Sequence, residues 1–393
     1  MEKRDSAFWR RFKEDMKTAA PELGIDKIGV ASAEPFAELK ERLIRQKEKG
    51  YDSGFEEPDL DKRTNPALLF PGARSIIAIA VAYPAKLKHP PVSEPGKRRG
   101  ILSRSAWGED YHHVLRRRMD NLAEWIRERV PDARLMPMTD TGPLADRAVA
   151  ERAGLGFGGK NCSIITPEFG SWVYLGEMIT DLPLEPDTPV EESCGDCTAC
   201  LDACPTGALT GPGQINAKRC ISYLTQTKEA LPDEFMRKIG NRLYGCDTCQ
   251  VVCPKNKGLD FRHHEEFLPD SETVKPLLNP ILFLSNREFK EKFGASAAAW
   301  RGRKPIQRNA LIALGNFRDA ESVPDIRRVL FEDPRPELRY TAAWALWRIG
   351  TAEARQALEE ALVQESDPMV REALVQWSQK DGNAVGNPQN SLK

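Results

Sequence analysis

The sequence predicts an α+β protein of three parts: an N-terminal mixed α/β domain, a ferredoxin-like domain for two [4Fe–4S] clusters, and a C-terminal α-helical HEAT-like repeat domain. Three observations predict it. The stretch CGDCTACLDACPTGAL (194–209) has the C-x2-C-x2-C-x3-C-P spacing of bacterial ferredoxins, in which three thiolates grip one cubane and the fourth reaches a second cluster. Before it, apolar β-branched runs alternate with amphipathic helical patterns. After it, ALIALGNFRDAESVPDIRRVLFEDPRPELR (310–339) overlays AAWALWRIGTAEARQALEEALVQESDPMVR (342–371) at an offset of 32 residues. A helical hairpin of that size cannot bury its apolar face alone, which is the logic of stacked repeats.

The N-terminal domain is drawn over residues 1–187. FWRRFKEDMKTAAPELG reads as an amphipathic helix with Phe8, Phe12, Met16 and Ala19 at helical spacing. Its Arg10-Arg11 pair is followed by charge and not by an apolar segment, so no export signal is expected. IDKIGVAS and SIIAIAVAYP suit buried strands, and the run IIAIAVA (76–82) is too short to span a bilayer, so no membrane partner is expected. YHHVLRRRMDNLAEWIRERV reads as a helix ended by Pro131, RLMPMTD as a strand, and DRAVAERAGLG as a helix stopped by Gly154 and Gly156. GSWVYLGEMIT reads as a strand, and DLPLEPDTPVEE, with three prolines and five acids, as a linker.

The cysteine domain is drawn over 188–262. The first motif demands a second, and Cys220, Cys246, Cys249 and Cys253 supply it with the same closing C-x2-C-x3-C-P. Crossed pairing gives one cluster Cys194, Cys197, Cys200 and Cys253, and the other Cys220, Cys246, Cys249 and Cys204. The 25 residues between Cys220 and Cys246 replace the usual two, so an insertion splits the second motif and is expected to cover something. C-x2-C pairs also form structural zinc sites, but zinc does not call for two such endings. Eight of nine cysteines placed as ligands indicate metal use in a reducing compartment, the cytoplasm, and not a disulfide framework.

The helical domain is drawn over 263–380, and the polar stretch 381–393 is expected to be disordered. With 57 Lys and Arg against 58 Asp and Glu, the net charge of −1 suggests no partner by itself. The charge is unevenly spread, though: residues 97–118 hold seven basic residues against Glu109 and Asp110, and RGRKPIQR (301–308) holds Arg301, Arg303, Lys304 and Arg308 with no acid. Most such patches are solvated faces, but two of them, one at the head of a helical repeat, suit a nucleic-acid backbone.

GLGFGGKN lacks the G-x-x-x-x-G-K-[ST] form and follows a helix, so it is not a phosphate loop. The longer stretch TDTGPLADRAVAERAGLGFGGKNCSIITPEFGSWVYLGE closely resembles the signature of epoxyqueuosine reductases. The likeness extends to KRTNPALLFPGARSIIAIAVAYP, SRSAWGEDYHHVLRRRM, the split ferredoxin motif and the helical repeat, and so covers nearly the whole chain. It implies a cobalamin-dependent enzyme with two [4Fe–4S] clusters that reduces the epoxide of epoxyqueuosine at the wobble position of tRNA, the last step of queuosine synthesis. The partners implied are that tRNA and a low-potential electron donor, and the chain is expected to act as a monomer. Nothing in the residue spacing reads as a cobalamin motif; that cofactor comes from the resemblance alone.

The resemblance places the proton donor on Asp140, just after a strand and before a T-G-P turn. An alkoxide leaves poorly, so a carboxylic acid with its pKa raised by burial is expected there. A lone Asp before T-G-P more often caps a turn or helix. By the same resemblance Arg63, Ser103 and Asp140 touch cobalamin, and Ile164 offers the corrin backbone or apolar contact. Ser222 and Asp247 adjoin cluster ligands, so cobalamin must come near them. Tyr111 and His112 in EDYHH are candidates for holding substrate or corrin; for His113 an ordinary helix-start role is as good. Three positions depart from the pattern. Cys162 stands where relatives carry a small residue and reads as a small core residue, Ser103 has no thiolate to offer cobalt, and Asp146 replaces a frequent Glu. Two other readings stand: a reductive-dehalogenase-like small-molecule cobalamin reductase, which usually carries an export signal and needs no basic helical repeat, and a ferredoxin-type carrier fused to a solenoid, which leaves the N-terminal domain unexplained.

Overall fold

The computed structural model describes residues 4–378, so the tail drawn at 381–393 lies outside the described residues. Two compact units interleave along the chain. The first takes the described residues through Lys86, then Gly108–Cys220 and Asp247–Leu268; the second takes Leu87–Trp107, Ile221–Cys246 and the described residues from Pro269 on. Among the described residues no helix is long and apolar enough to cross a membrane.

The first unit is built on a four-stranded antiparallel sheet of β1 (Lys27–Ser32), β2 (Ser75–Ala82), β3 (Leu135–Met138) and β4 (Val173–Thr180), in the order β1-β2-β4-β3. All eight residues of β2 are buried, because both faces of the sheet are covered, and so the sequence there is continuously apolar. On one face Ile77, Ile79 and Val81 pack with Trp9, Phe12 and Met16 of α1 (Ser6–Ala19) and with Leu115, Met119 and Leu122 of α2 (Tyr111–Arg129). On the other, Ile76, Ala78 and Ala80 pack with Val149 and Ala150 of α3 (Asp146–Arg152). In α1 the buried stripe is turned from the expected one: Trp9 is inside, while Phe8 and Ala19 are only partly buried. Gly29 is needed where α3 ends against β1, since a Cβ there would stand 2.2 Å from the Ala153 carbonyl. The cysteine-bearing helical turns Ala199–Asp202 and Thr248–Val251 pack together within this unit.

The second unit is helical. Its core is α4 (Arg303–Phe317), α5 (Val323–Glu332), α6 (Pro336–Ile349), α7 (Ala352–Gln364) and α8 (Pro368–Ser378), with α4/α5 and α6/α7 as the two repeat copies. Every residue of α4 from Pro305 to Gly315 is buried, because it is covered on all sides. Part of that cover is the insertion 221–245, which is thus an integral part of the helical unit. Its Met236 and Ile239 are buried, Asn309 of α4 donates to the carbonyls of Thr225 and Leu243 (both 2.8 Å), and Asn316 donates to those of Met236 and Gly240. Its strand Arg242–Tyr244 pairs with Ile101–Leu102. The compact units therefore cut across the boundaries drawn at 187 and 262.

Candidate functional site

Asp140 follows β3 in a turn, with a φ of 34°. Left-handed backbone is strained for most side-chain-bearing residues and is tolerated best by Asn and Asp; it persists where the surroundings hold it. Here the Asp140 N–H donates to Asp146 Oδ2 at 2.9 Å, its carboxylate accepts a hydrogen bond from Tyr111, and its Oδ2 lies 3.3 Å from His112 Nε2. His112 is the second residue of α2. Its N–H and Nδ1 both meet Oδ1 of Asp110, the helix N-cap, at 3.0 and 2.6 Å. The imidazole thus stands between two carboxylates. Burial alone would lower its pKa, but the hydrogen bonds and charges of Asp110 and Asp140 raise it to about 9, so His112 is an imidazolium at neutral pH.

That fixes the state of Asp140. The hydrogen bond from His112 outweighs the surrounding protein and holds the Asp140 carboxyl below its usual range. The expectation of an Asp140 kept protonated by burial is corrected: its side chain is 61 % exposed, although protein rings it, and an imidazolium faces it. The proton is stored next door, on His112. Tyr111 stacks on Tyr174 with centroids 4.6 Å apart and against His112 at 4.1 Å, so both expected site residues rest on one aromatic platform.

Arg63, in the helical turn Leu60–Thr64, faces the same charges. Burial lowers its pKa, and Glu56, Asp146 and Asp140 attract it while Arg147 repels it. Its Nε is buried without a protein acceptor, which fits a bound group rich in amide carbonyls such as the periphery of cobalamin. Ile164 spends its side chain in the apolar cluster of α3, leaving its backbone for any ligand. Cys162 is half-buried in left-handed conformation (φ 65°), at the tip of a hairpin between Phe157–Gly158 and Ile164–Ile165. Its carbonyl accepts from Arg147, and burial raises its thiol pKa. It is a turn residue, not the core residue expected. Asp247 precedes the turn Thr248–Val251 in this unit. Ser103 and Ser222 belong to the helical unit: the Ser103 N–H donates to the Tyr244 carbonyl at 2.8 Å, and the Ser222 carbonyl accepts from Gln226 at 2.8 Å.

Among the thiols, Cys200 and Cys253 share their electrostatic surroundings with Cys194 and Cys197. Burial first, then the charges of Cys194 and Cys253, raise the Cys200 pKa; burial, then Cys194 and Cys197, raise that of Cys253. Thiols held up by neighbouring thiolates, as Cys200 and Cys253 are, suit an iron–sulfur cluster whose iron neutralises them. Cys204 is different. Burial is outweighed there by N–H groups of Leu209, Thr206 and Ala208, which hold its thiol below the usual value, with Ala208 N at 3.2 Å from Sγ. No cysteine is in a disulfide among the described residues.

The basic patches are largely spent inside the protein. Arg308 is 1 % exposed, and its guanidinium binds Thr227 Oγ1, Asn309 Oδ1 and the carbonyls of Glu229 and Leu224. It is corrected from a nucleic-acid contact to the buried clasp that ties the insertion to α4. Lys304 pairs with Glu337 at 2.6 Å, Arg303 donates to the Leu284 carbonyl and Arg301 to that of Gln226; all three stay partly exposed. In the other patch Arg98 pairs with Asp319, Arg99 with Glu272, Arg117 with Glu109 and Arg118 with Glu266.

Sequence reasoning passed over several groups. Asp110 and the buried Glu177 shape the site's protonation, and Glu177 was visible as the lone acid in an apolar strand. Asp26 accepts from His263 and His264, each at 2.7 Å, and from the Ala82 N–H, a satisfied staple within the first unit. A cleft lined by Lys17, Ile25, Lys27, Gly154 and Asp187 has its Lys17–Asp187 pair at 2.7 Å and none of the groups around Asp140.

Residues 63–141 match the family described as epoxyqueuosine reductase QueG, residues 193–256 a 4Fe-4S double cluster binding domain, and residues 298–377 HEAT repeats. An epoxyqueuosine reductase of Bacillus cereus is 59% identical over 362 residues, 92% of this chain and 95% of that one. A crystal structure of an epoxyqueuosine reductase with an epoxyqueuosine-modified tRNA-Tyr stem loop superposes with a TM-score of 0.92 at 56% identity, covering 94% of this chain and 98% of that one. A Bacillus subtilis epoxyqueuosine reductase, 55% identical with a TM-score of 0.92 over 94% of this chain and 99% of that one, was solved with its aspartate catalytic loop swung out of the active site.

Proposed function

The chain belongs to the epoxyqueuosine reductase family and reduces the epoxide of epoxyqueuosine in tRNA to the alkene of queuosine, and we propose that Asp140 delivers the proton to the departing oxygen with His112 behind it. It is an oxidoreductase with a 4Fe-4S double cluster domain, and from the family resemblance we infer that it also uses cobalamin. Of the residues expected at cobalamin, Arg63, Asp140, Ile164 and Asp247 of the first unit would hold it, and Ser103 and Ser222 are carried by the other unit. Cys194, Cys197, Cys200 and Cys253 would hold one cluster, and Cys204, Cys220, Cys246 and Cys249 the other. When bound, cobalamin supplies a strongly reducing nucleophilic centre and the clusters supply its electrons one at a time.

Epoxide to alkene consumes two electrons and two protons and releases water. The carbon–oxygen bond breaks only if its oxygen is protonated as it leaves. The observation that carries the reading is an exposed carboxylate, held at positive φ, against an imidazolium. Asp140 Oδ2 passes to the oxygen the proton it draws from His112 Nε2. His112 holds that proton below pH about 9 and loses it above, so turnover is level through neutrality and falls as pH rises through about 9. A pH–rate profile at saturating substrate checks this. His112→Gln removes the alkaline fall along with most of the rate, and a wild-type profile that stays flat past that pH removes His112 from the mechanism.

The function is tested by anaerobic turnover of an epoxyqueuosine-containing anticodon stem-loop, with reconstituted clusters, a low-potential chemical reductant, and cobalamin present or omitted. Queuosine forms only with cobalamin; none from fully loaded protein overturns the reading. We place the enzyme in the cytoplasm as a monomer served by a low-potential electron carrier, because thiolate-bound iron needs a reducing compartment. Arg301, Arg303 and Lys304, all partly exposed, would meet tRNA phosphates. Their joint replacement with Ala weakens stem-loop binding and lowers the slope of log affinity against log salt by about one to two; an unchanged slope assigns tRNA binding elsewhere.

A further inference from the structure

Glu177 lies in the middle of β4, where the register pairs it with Ala78 of β2 and Met138 of β3. Directly paired residues of an antiparallel sheet point to one face, so Glu177 shares the apolar face of Ala78, Met138, Val149 and Ala150. It is 1 % exposed, and neither of its oxygens receives a hydrogen bond from any donor among the described residues. A buried carboxylate with no donor is among the costliest groups a fold can hold. What lies against it is a second carboxyl group, that of Asp146 at the start of α3, whose Oδ2 accepts the Asp140 N–H at 2.9 Å. Two carboxylates in contact cannot both be ionised in such a place.

Resting on the reading of Asp140 as the proton donor, we propose that Glu177 and Asp146 hold one proton between them at neutral pH, and that the chain of hydrogen bonds from the Glu177 hydroxyl to the Asp146 carboxylate to the Asp140 peptide positions the catalytic aspartate. Glu177 O–H supplies the donor that the apolar face lacks, and Asp146, left ionised, has an acceptor to spare for the strained peptide. The groups around the pair agree. Burial and then the Asp140 charge push Asp146 up to about 6, and burial and then Asp146 push Glu177 well above the usual carboxylate range. Arg63 faces Asp146 and Asp140, with Glu56 and Arg147 beside it, and His112 faces Asp140 from α2. None of these cations forms a hydrogen bond with Glu177, so the proton is the only partner that it has among the described residues. The two acids are positioning residues: they act through Asp140.

Infrared difference spectroscopy of the wild-type enzyme reads the proton directly. The carbonyl stretch of an un-ionised carboxyl group is present at neutral pH, shifts in heavy water, fades on alkaline titration and is absent from Glu177→Gln. Turnover reads the positioning. Asp146→Ala frees the Asp140 peptide and lowers kcat about 100-fold, the order expected from a misplacement of about 1 Å, with little change in KM for the stem-loop. Glu177→Ala does the same, and Glu177→Gln, whose amide donates as the protonated acid does, restores most of the rate while losing the pH dependence that the pair contributes. No such band in the wild type, a band that survives Glu177→Gln, or an Asp146→Ala enzyme with an undiminished kcat overturns the proposal. The band needs neither substrate nor cobalamin, so it stands or falls apart from the turnover assay that tests the function.

Discussion

Replacing Asp140 with Asn lowers turnover about 1000-fold and leaves stem-loop affinity, iron content and melting temperature near the wild-type values. The magnitude is that of a general acid lost from a reaction whose leaving oxygen needs a proton. The sparing of stability follows from position: the Asp140 side chain is 61 % exposed and outside both apolar clusters of the first unit, so the fold does not depend on its charge. The variant keeps shape and the peptide N–H to Asp146, and removes only the oxygen that faces His112. It also removes one of the two carboxylates that raise His112, so the imidazole titrates lower, and the small residual rate loses its alkaline fall near pH 9. Coupled with retained affinity, that displacement separates a lost proton donor from a collapsed site. A variant with near-normal turnover shows that another group delivers the proton, and His112 itself is then the first to replace.

The candidate acid was legible in the sequence; its state was not. The T-D-T-G-P turn and its resemblance to a known signature single out Asp140, but its ionisation is set by His112, 28 residues away and brought near by the N-cap of α2. Sequence shows which groups titrate and only the fold shows which face each other. The sheet was legible for the opposite reason. Strands buried on both faces are largely apolar, and β2 announces itself that way, as does β4 apart from Glu177. The repeat was visible as a period, because each hairpin must present the same apolar stripe to its neighbours.

Arg308 misled because its charge was read without its helix. RKPIQRNALIALG becomes apolar all round from Ala310 on, after its second turn, and a helix of that kind is enclosed. An Arg at the head of it then has no water to reach and must find carbonyls. Arg308 finds those of Leu224 and Glu229, in the insertion that splits the ferredoxin motif. That contact spans about 80 positions and explains why the insertion belongs to the helical unit: its backbone satisfies a guanidinium and two asparagines of α4. No local pattern in 221–245 reveals this.

Replacing Cys200 with Ala removes one cluster, about half of the bound iron, and with it all measurable turnover, because a broken relay leaves no path for electrons rather than a slower one. The crossed pairing makes a sharper demand. Cys253, 53 positions from Cys200, belongs to the same cluster, so Cys253→Ala loses the same half of the iron, and the double variant loses no more than either single one. Cys204→Ala, only four positions from Cys200, loses the other half, and combined with Cys200→Ala it leaves almost none. Cys200 and Cys253 both feel the charge of Cys194, whereas Cys204 is governed by backbone N–H groups of its own turn. Iron analysis with electron paramagnetic resonance of the reduced protein separates the patterns. Additive losses for Cys200 and Cys253, or shared losses for Cys200 and Cys204, make each motif a closed site of its own, and the ferredoxin reading of the proline-ended spacing then fails at its first premise.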